Sequence, residues 1–236
     1  MKKIVFTILI MCMHFGFSQE NQAFFSKADA FFKTYVSNGR VNYKAIKENP
    51  ASLDELISLA ANSKVSTSNA KEYQAFYINA YNVAVIKGIV TKYPVKSPLD
   101  IKGFFDKNTY TLGGKKITLN DVENVLLRKN FPKEARFHFV LVCAGLGCPP
   151  IISEAYTPDL LEKQLQRQAV KALNNPSFIK VKGNKVQLSQ IFEWYKEDFT
   201  HEGNEITYIN KFRKEPLPVK AKVSYYPYNW SLNKVK

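Results

Sequence analysis

Cysteine, histidine and tryptophan are scarce in this chain: three, three and two among 236 residues. So few cysteines exclude a small domain held by a disulfide framework. Ten glycines and eleven prolines exclude collagen-like and low-complexity chains. Acidic side chains are in deficit, 20 Asp and Glu against 34 Lys and Arg, for a net charge of +14. The lysines are dispersed (Lys33, Lys44, Lys64, Lys92, Lys115, Lys163, Lys220) and form no dense arm, which argues against a nucleic-acid partner. No phosphate loop is present, since Gly113-Gly114 sits between strand-like segments and reads as a hairpin turn. What the chain does have is an apolar fraction of 45%, enough for one large domain with a single extensive core.

Met1-Lys2-Lys3 is a positive start, followed by an almost wholly apolar run from Ile4 to Phe17. Gly16-Phe17-Ser18 places small residues where a signal peptidase reads, and polar residues follow. This is the form of a secretory signal peptide, cleaved after about Ser18 and leaving one domain over 19–236. The run is shorter than the ~20 residues that span a bilayer. The expectation is therefore an exported protein, periplasmic or extracellular, with no integral membrane segment after signal removal. Cys143 and Cys148 would then lie in an oxidising compartment.

Along the rest of the chain, aromatics at helical spacing predict an amphipathic helix over 20–36. Ser52 with Glu55 predicts a capped second helix. Ala70 to Val90 predicts a helix apolar on most faces, hence central and covered on several sides. Tyr110–Leu112 and Lys115–Leu119 predict a hairpin, and Asn120 a cap for a helix reaching about Lys129. Arg136 to Cys143 reads as a buried strand. Thr157 with Pro158 starts another helix. A second hairpin is expected at Phe178–Val181 and Lys185–Leu188, then an aromatic helix capped by Ser189 and a strand over Lys220–Tyr226. The fold class is α+β: a single domain with a central apolar helix and peripheral helices around a small, mainly antiparallel sheet containing 136–143.

Four segments carry a resemblance: Phe76-Tyr77-Ile78-Asn79-Ala80-Tyr81-Asn82; His138 to Cys143 with Gly147-Cys148-Pro149-Pro150; Ile191 to Phe199; and Asn229-Trp230-Ser231-Leu232-Asn233. In this order they resemble a bacterial and plant family known as a domain of unknown function, DUF547, over roughly 40–236. The resemblance implies a single domain and transfers no mechanism, cofactor or site.

Read for chemistry, the central helix sets Glu72 and Asn79 within about 20° of each other, with Asn82 about 60° further round. These residues either tie the helix to loop backbone or line a cleft as acid/base and orienting groups. His138 is either a core histidine or a general base. Cys143 and Cys148 admit a disulfide, a thiolate nucleophile at Cys148, or inert buried thiols. A metal site with His138 would have three ligands, one short of structural zinc. If 136–143 is extended, His138 and Cys143 are about 16 Å apart, so Cys148 meets His138 only if the loop folds back. His201, Glu72 or Glu193 are the other available bases. Trp194 and Tyr195 are groove candidates, and the aromatic C-terminus from Tyr225 to Trp230 either closes that groove or packs on the sheet.

The resulting expectation is an exported thiol-dependent hydrolase or acyltransferase acting on a cell-envelope substrate, without a cofactor or metal. Cys148 would be the nucleophile, His138 the base, and Glu72 or Asn79 the orienting group. The alternative is a non-catalytic binding or scaffold module with a structural Cys143–Cys148 pair, meeting an envelope substrate or protein partner.

Overall fold

The structure is a computed structural model and describes residues 21–236; the expected signal segment lies outside the described residues. Its organising element is helix α4, Ala70–Lys92, begun by Asn69, whose side chain accepts the Glu72 backbone N–H. Fifteen of its 23 residues are buried, on every face, as its nearly continuous apolar sequence predicts. Gly88 is required for that enclosure: a Cβ there would run into the Phe104 ring and the Tyr110 hydroxyl.

Around α4 lie α1 (21–35), the two-residue strands β1 (Val36–Ser37) and β2 (Arg40–Val41), and helices α2 (Tyr43–Glu48) and α3 (Ala51–Asn62). The hairpin β3 (Thr109–Leu112) and β4 (Lys115–Thr118) follows, with Tyr110 opposite Ile117. α5 (Leu119–Asp121) then runs directly into a π-helix, Val122–Arg128, and a 3-10 turn spans Ala135–Phe139. The C-terminal half holds α6 (Leu161–Leu173), β5 (Ile179–Lys182), β6 (Lys185–Ser189), α7 (Gln190–Trp194), α8 (Lys196–Phe199), α9 (Glu205–Asn210) and β7 (Lys222–Tyr226). β5 pairs antiparallel with β6, and β7 adds parallel to it. The class is α+β in one compact domain, with the central helix as expected and three small sheets in place of one. Among the described residues, no helix is long and apolar enough to cross a membrane.

The strand expected over 136–143 is absent. Glu134 accepts the Arg136 backbone N–H and, with Glu162, pairs the Arg136 guanidinium, which winds 135–139 into a tight turn. A short apolar run does not by itself distinguish a strand from a buried helical turn. At about three residues per turn, successive side chains point in three directions. Phe137 enters the cluster around α4, Phe139 enters a second cluster under the β5–β6–β7 sheet, and His138 lies between them. The extended-chain separation of His138 and Cys143 therefore does not apply.

Three helix starts also differ. α3 begins at Pro50 without a side-chain cap, and the buried Ser52 hydroxyl has no partner. Thr118, in a reciprocal capping box with Asp121, takes the role expected of Asn120. α6 begins three residues after Pro158, because 157–160 form a separate turn. Ser189 caps α7 as expected.

The polar stripe on α4 holds loops in place of strand ladders. The Asn79 amide donates to Tyr156 O at 2.7 Å and Ala75 O at 2.9 Å and accepts Tyr156 N–H at 3.0 Å. Asn82 does the same for the run after the 3-10 turn, donating to Val140 O and accepting Val142 N–H, both at 2.9 Å. An aspartate at 79 lacks the donors and turns a carboxylate toward two carbonyls. Asn79→Asp is expected to cost about 3 kcal/mol, a fall of roughly 6–12 °C in melting temperature. An unchanged midpoint in thermal unfolding would remove this structural role.

Candidate functional site

A cleft of about 290 Å³ opens at the seam between the two hydrophobic clusters. Tyr81 and Leu141 face it from the α4 side, Ile191 and Tyr228 from the sheet side. His138, Cys143 and Cys148 all line it, as do Trp194 and Tyr195. The structure thus brings together five of the candidates that the sequence separates by up to 57 positions.

The cysteine loop is shaped by the C-terminus. Leu146 N–H donates to Ser231 O and Gly147 N–H to Asn229 O, both at 2.8 Å, while Asn233 N–H reaches Ala144 O at 2.9 Å. Ala144 takes a left-handed backbone, φ 64°, which reverses the chain after Cys143. The reversal brings the Cys143 and Cys148 sulfurs to disulfide distance, with Cα atoms 6.5 Å apart. Both residues are half-buried, so the pair forms part of the cleft wall. Cys148 Sγ accepts the Cys143 N–H at 3.0 Å, and the Tyr228 hydroxyl lies 2.8 Å from each sulfur. Burial pushes the Tyr228 hydroxyl well above its ordinary range, with Tyr195 and Glu123 adding to the shift, so it remains a proton donor.

Gly147 makes the approach of Tyr228 possible, because a Cβ there would meet the Tyr228 ring at 2.8 Å and Asn229 N at 2.9 Å. Gly147→Ala is expected to displace Tyr228 from the sulfurs and destabilise the fold by about 1–3 kcal/mol. The near-ultraviolet tyrosine signal and the melting temperature check this; no change in either contradicts the tight contact.

On the opposite wall His138 is buried and spans two carboxylates. Its Nε2 is 2.7 Å from Asp198, and its Nδ1 is 3.9 Å from Glu123. Tyr195 stacks on the imidazole at 4.1 Å between centroids. Arg128 grips Asp198 with two hydrogen bonds, 2.6 and 2.8 Å, and lies over the Tyr195 ring. Burial alone would raise the Asp198 carboxyl. The hydrogen bonds from His138 and Arg128, with their charges, outweigh it and hold the group well below the ordinary carboxylate range. Burial, with the negative charge of Glu123 added, pushes the Tyr81 and Tyr195 phenols well up. Trp230, stacked on Trp194 at 5.9 Å, and Phe105 complete an aromatic rim, of which Trp194 is 46% exposed.

The sequence alone singles out none of Glu123, Arg128 and Asp198, and Tyr228 only as part of the aromatic C-terminus. Glu123 and Arg128 are five apart, about 140° from each other on an α-helix. A π-helix stacks residues i and i+5 closely, and its register turns both toward His138 and Asp198. Asp198 and Tyr228 lie within motifs noted in the sequence, but nothing in their local spacing indicates where they point.

Glu72 and Asn79 are not in the cleft. Glu72 binds Asn21 at 3.0 Å and Asn69 at 3.1 Å near the start of α4, about 14 Å along the axis from Tyr81. Asn79 and Asn82 are spent on backbone, so Asn82 is no groove residue. Glu193 is exposed beside Gln190, and His201 lines a separate polar cavity with Lys133 and Glu202. Among the described residues, no group of three His, Cys, Asp or Glu side chains is arranged to hold a metal ion.

Fold and site together define an α+β domain whose aromatic cleft presents a cysteine pair opposite a buried histidine–carboxylate network. Residues 65–173 match the family model described as "Protein of unknown function, DUF547". The match includes α4 and the cysteine loop and is narrower than the 40–236 over which the sequence resembles the family. No curated protein and no solved structure matches the chain.

Proposed function

We propose that this protein is an exported thiol–disulfide oxidoreductase that exchanges electrons with dithiol or disulfide substrates through Cys143 and Cys148. One observation carries the reading: a cysteine pair at disulfide distance lines an aromatic cleft, with the Cys143 N–H donated to the sulfur of Cys148 and the Tyr228 hydroxyl within reach of both sulfurs. Donors that favour a thiolate make Cys148 the better leaving group. A substrate thiolate attacks Cys143 Sγ, forming a mixed disulfide, and the electron pair of the broken S–S bond stays on Cys148 Sγ. A second substrate thiolate then attacks the substrate sulfur of the mixed disulfide and releases Cys143. The substrate is oxidised by two electrons and the pair reduced to a dithiol. The N-terminal signal-like segment supports export, and an oxidising compartment suits such a pair.

The acyl-transfer reading needs Cys148 as a free thiolate and an imidazole nitrogen turned toward it. In the observed arrangement the sulfurs adjoin and both ring nitrogens of His138 face carboxylates, so it has the weaker support. The structural-pair reading keeps the disulfide and denies it turnover.

Thiol titration of the chain without its first 18 residues, purified without reductant, separates the three. Oxidoreductase chemistry predicts no thiol as purified, native or unfolded, and two thiols in the native state after mild reduction. Two thiols as purified, reacting only after unfolding, contradict it in favour of an inert pair. One fast-reacting thiol as purified points to acyl transfer. A pair that resists mild reduction while folded is a structural staple.

A further inference from the structure

The β5–β6–β7 sheet turns Ile179, Val186 and Leu188 into the second hydrophobic cluster. Alternation sends Lys180, Lys182, Lys185 and Lys222 to the opposite face. The register sets Lys182 opposite Lys185, and Lys185 opposite Lys222, so three ammonium groups cross three adjacent strands in one row. At about 4.8 Å between strands the row spans about 10 Å, and neighbouring charges lie within the Debye length of about 8 Å at physiological salt. Like charges placed directly opposite one another destabilise a sheet. Protection of an exposed edge accounts for lysines on β5 and β7. It does not account for Lys185, because β6 is paired on both sides. Among the described residues none of these four lysines pairs with a carboxylate, and Lys180 lies over the Tyr226 ring at 4.0 Å. The face is concave, with a cavity of about 460 Å³ that Gln187 and Ser224 also line.

We propose that this face binds an acidic polysaccharide laid across the strands. Its carboxylates sit on Lys182, Lys185 and Lys222, and its hydroxyls meet Gln187 and Ser224. A groove furnished with amide and hydroxyl groups beside the charges suits a hydroxyl-bearing chain better than a flat lipid surface. None of these residues belongs to the thiol cleft, so the inference stands apart from the oxidoreductase reading.

The test titrates the protein at low salt with alginate oligosaccharides, neutral dextran, phosphatidylglycerol-containing vesicles and a single-stranded DNA oligomer. Saturable alginate binding that weakens with salt is expected, with none to dextran. K182Q/K185Q/K222Q is expected to weaken it by about tenfold or more, whereas K44Q/K92Q/K102Q, an equal loss of charge elsewhere, weakens it by less than about threefold. The sheet variant should melt no lower than wild type, since it removes like-charge neighbours. Absence of alginate binding, equal weakening in the two variants, or tighter binding to vesicles or DNA overturns the proposal.

Discussion

With glutathione disulfide as the oxidant that regenerates the pair, Cys148→Ser and Cys143→Ser should each abolish turnover of a dithiol peptide, lowering the rate by roughly a thousandfold or more. The two variants should differ in what they trap. Offered a disulfide peptide, Cys143 alone attacks it and releases one substrate thiolate, and the mixed disulfide accumulates because no Cys148 thiolate is present to displace the substrate from Cys143. With Cys148 alone, the remaining sulfur keeps both donors, the Cys143 N–H and the Tyr228 hydroxyl, and should be the more acidic thiol of the two. Tyr228→Phe removes a donor to a charged sulfur, worth about 1.5–3 kcal/mol. It should raise that thiol's titration by about one to two pH units. Mass spectrometry of the trapped species and alkylation rates against pH check these results. Equal thiol acidities in the two variants, or turnover surviving either substitution, contradict the assigned roles.

Asp198→Asn should have the largest effect on stability outside the core. It leaves the Arg128 guanidinium and the His138 imidazole facing an amide in a half-buried setting, at a cost of about 2–4 kcal/mol. For a domain of this size the melting temperature should fall by roughly 5–15 °C. The sign with pH follows from the depressed carboxyl. A group whose folded pKa lies below its unfolded value contributes fully above the unfolded value, about 4, and the contribution is lost as pH falls through the folded one. Wild type should therefore lose this stability progressively below about pH 4, and Asp198→Asn should lack that part of the acid dependence. Parallel stability profiles from pH 2 to 7 would contradict the ion-pair account.

How far the sequence could be read depends on how local the determining interactions are. Helix α4, both hairpins and the Ser189 cap rest on periodicity, turn glycines or a one-residue hydrogen bond, and they were legible. The run from Arg136 to Cys143 was misread because two hydrophobic clusters flank it. The alternation that would identify a strand is replaced by apolar residues on all sides, and the Glu134–Arg136–Glu162 network decides for a turn. Of the site, Cys143, Cys148, His138, Trp194 and Tyr195 were named from residue type and motif. Glu123 and Arg128 escaped because only a π-helical register turns both toward His138 and Asp198. Asn79 and Asn82 show the converse: buried amides on a central helix suggest a site, and here their hydrogen bonds stand in for a strand ladder.

The central claim is that the Cys143–Cys148 pair cycles between oxidised and reduced forms, and its reduction potential tests that most directly. Equilibration of the native chain in glutathione buffers, with the dithiol fraction read by alkylation and mass, should give a value between about −270 and −120 mV, the range of exchange-active pairs. A value below about −300 mV, where structural disulfides lie, would contradict it.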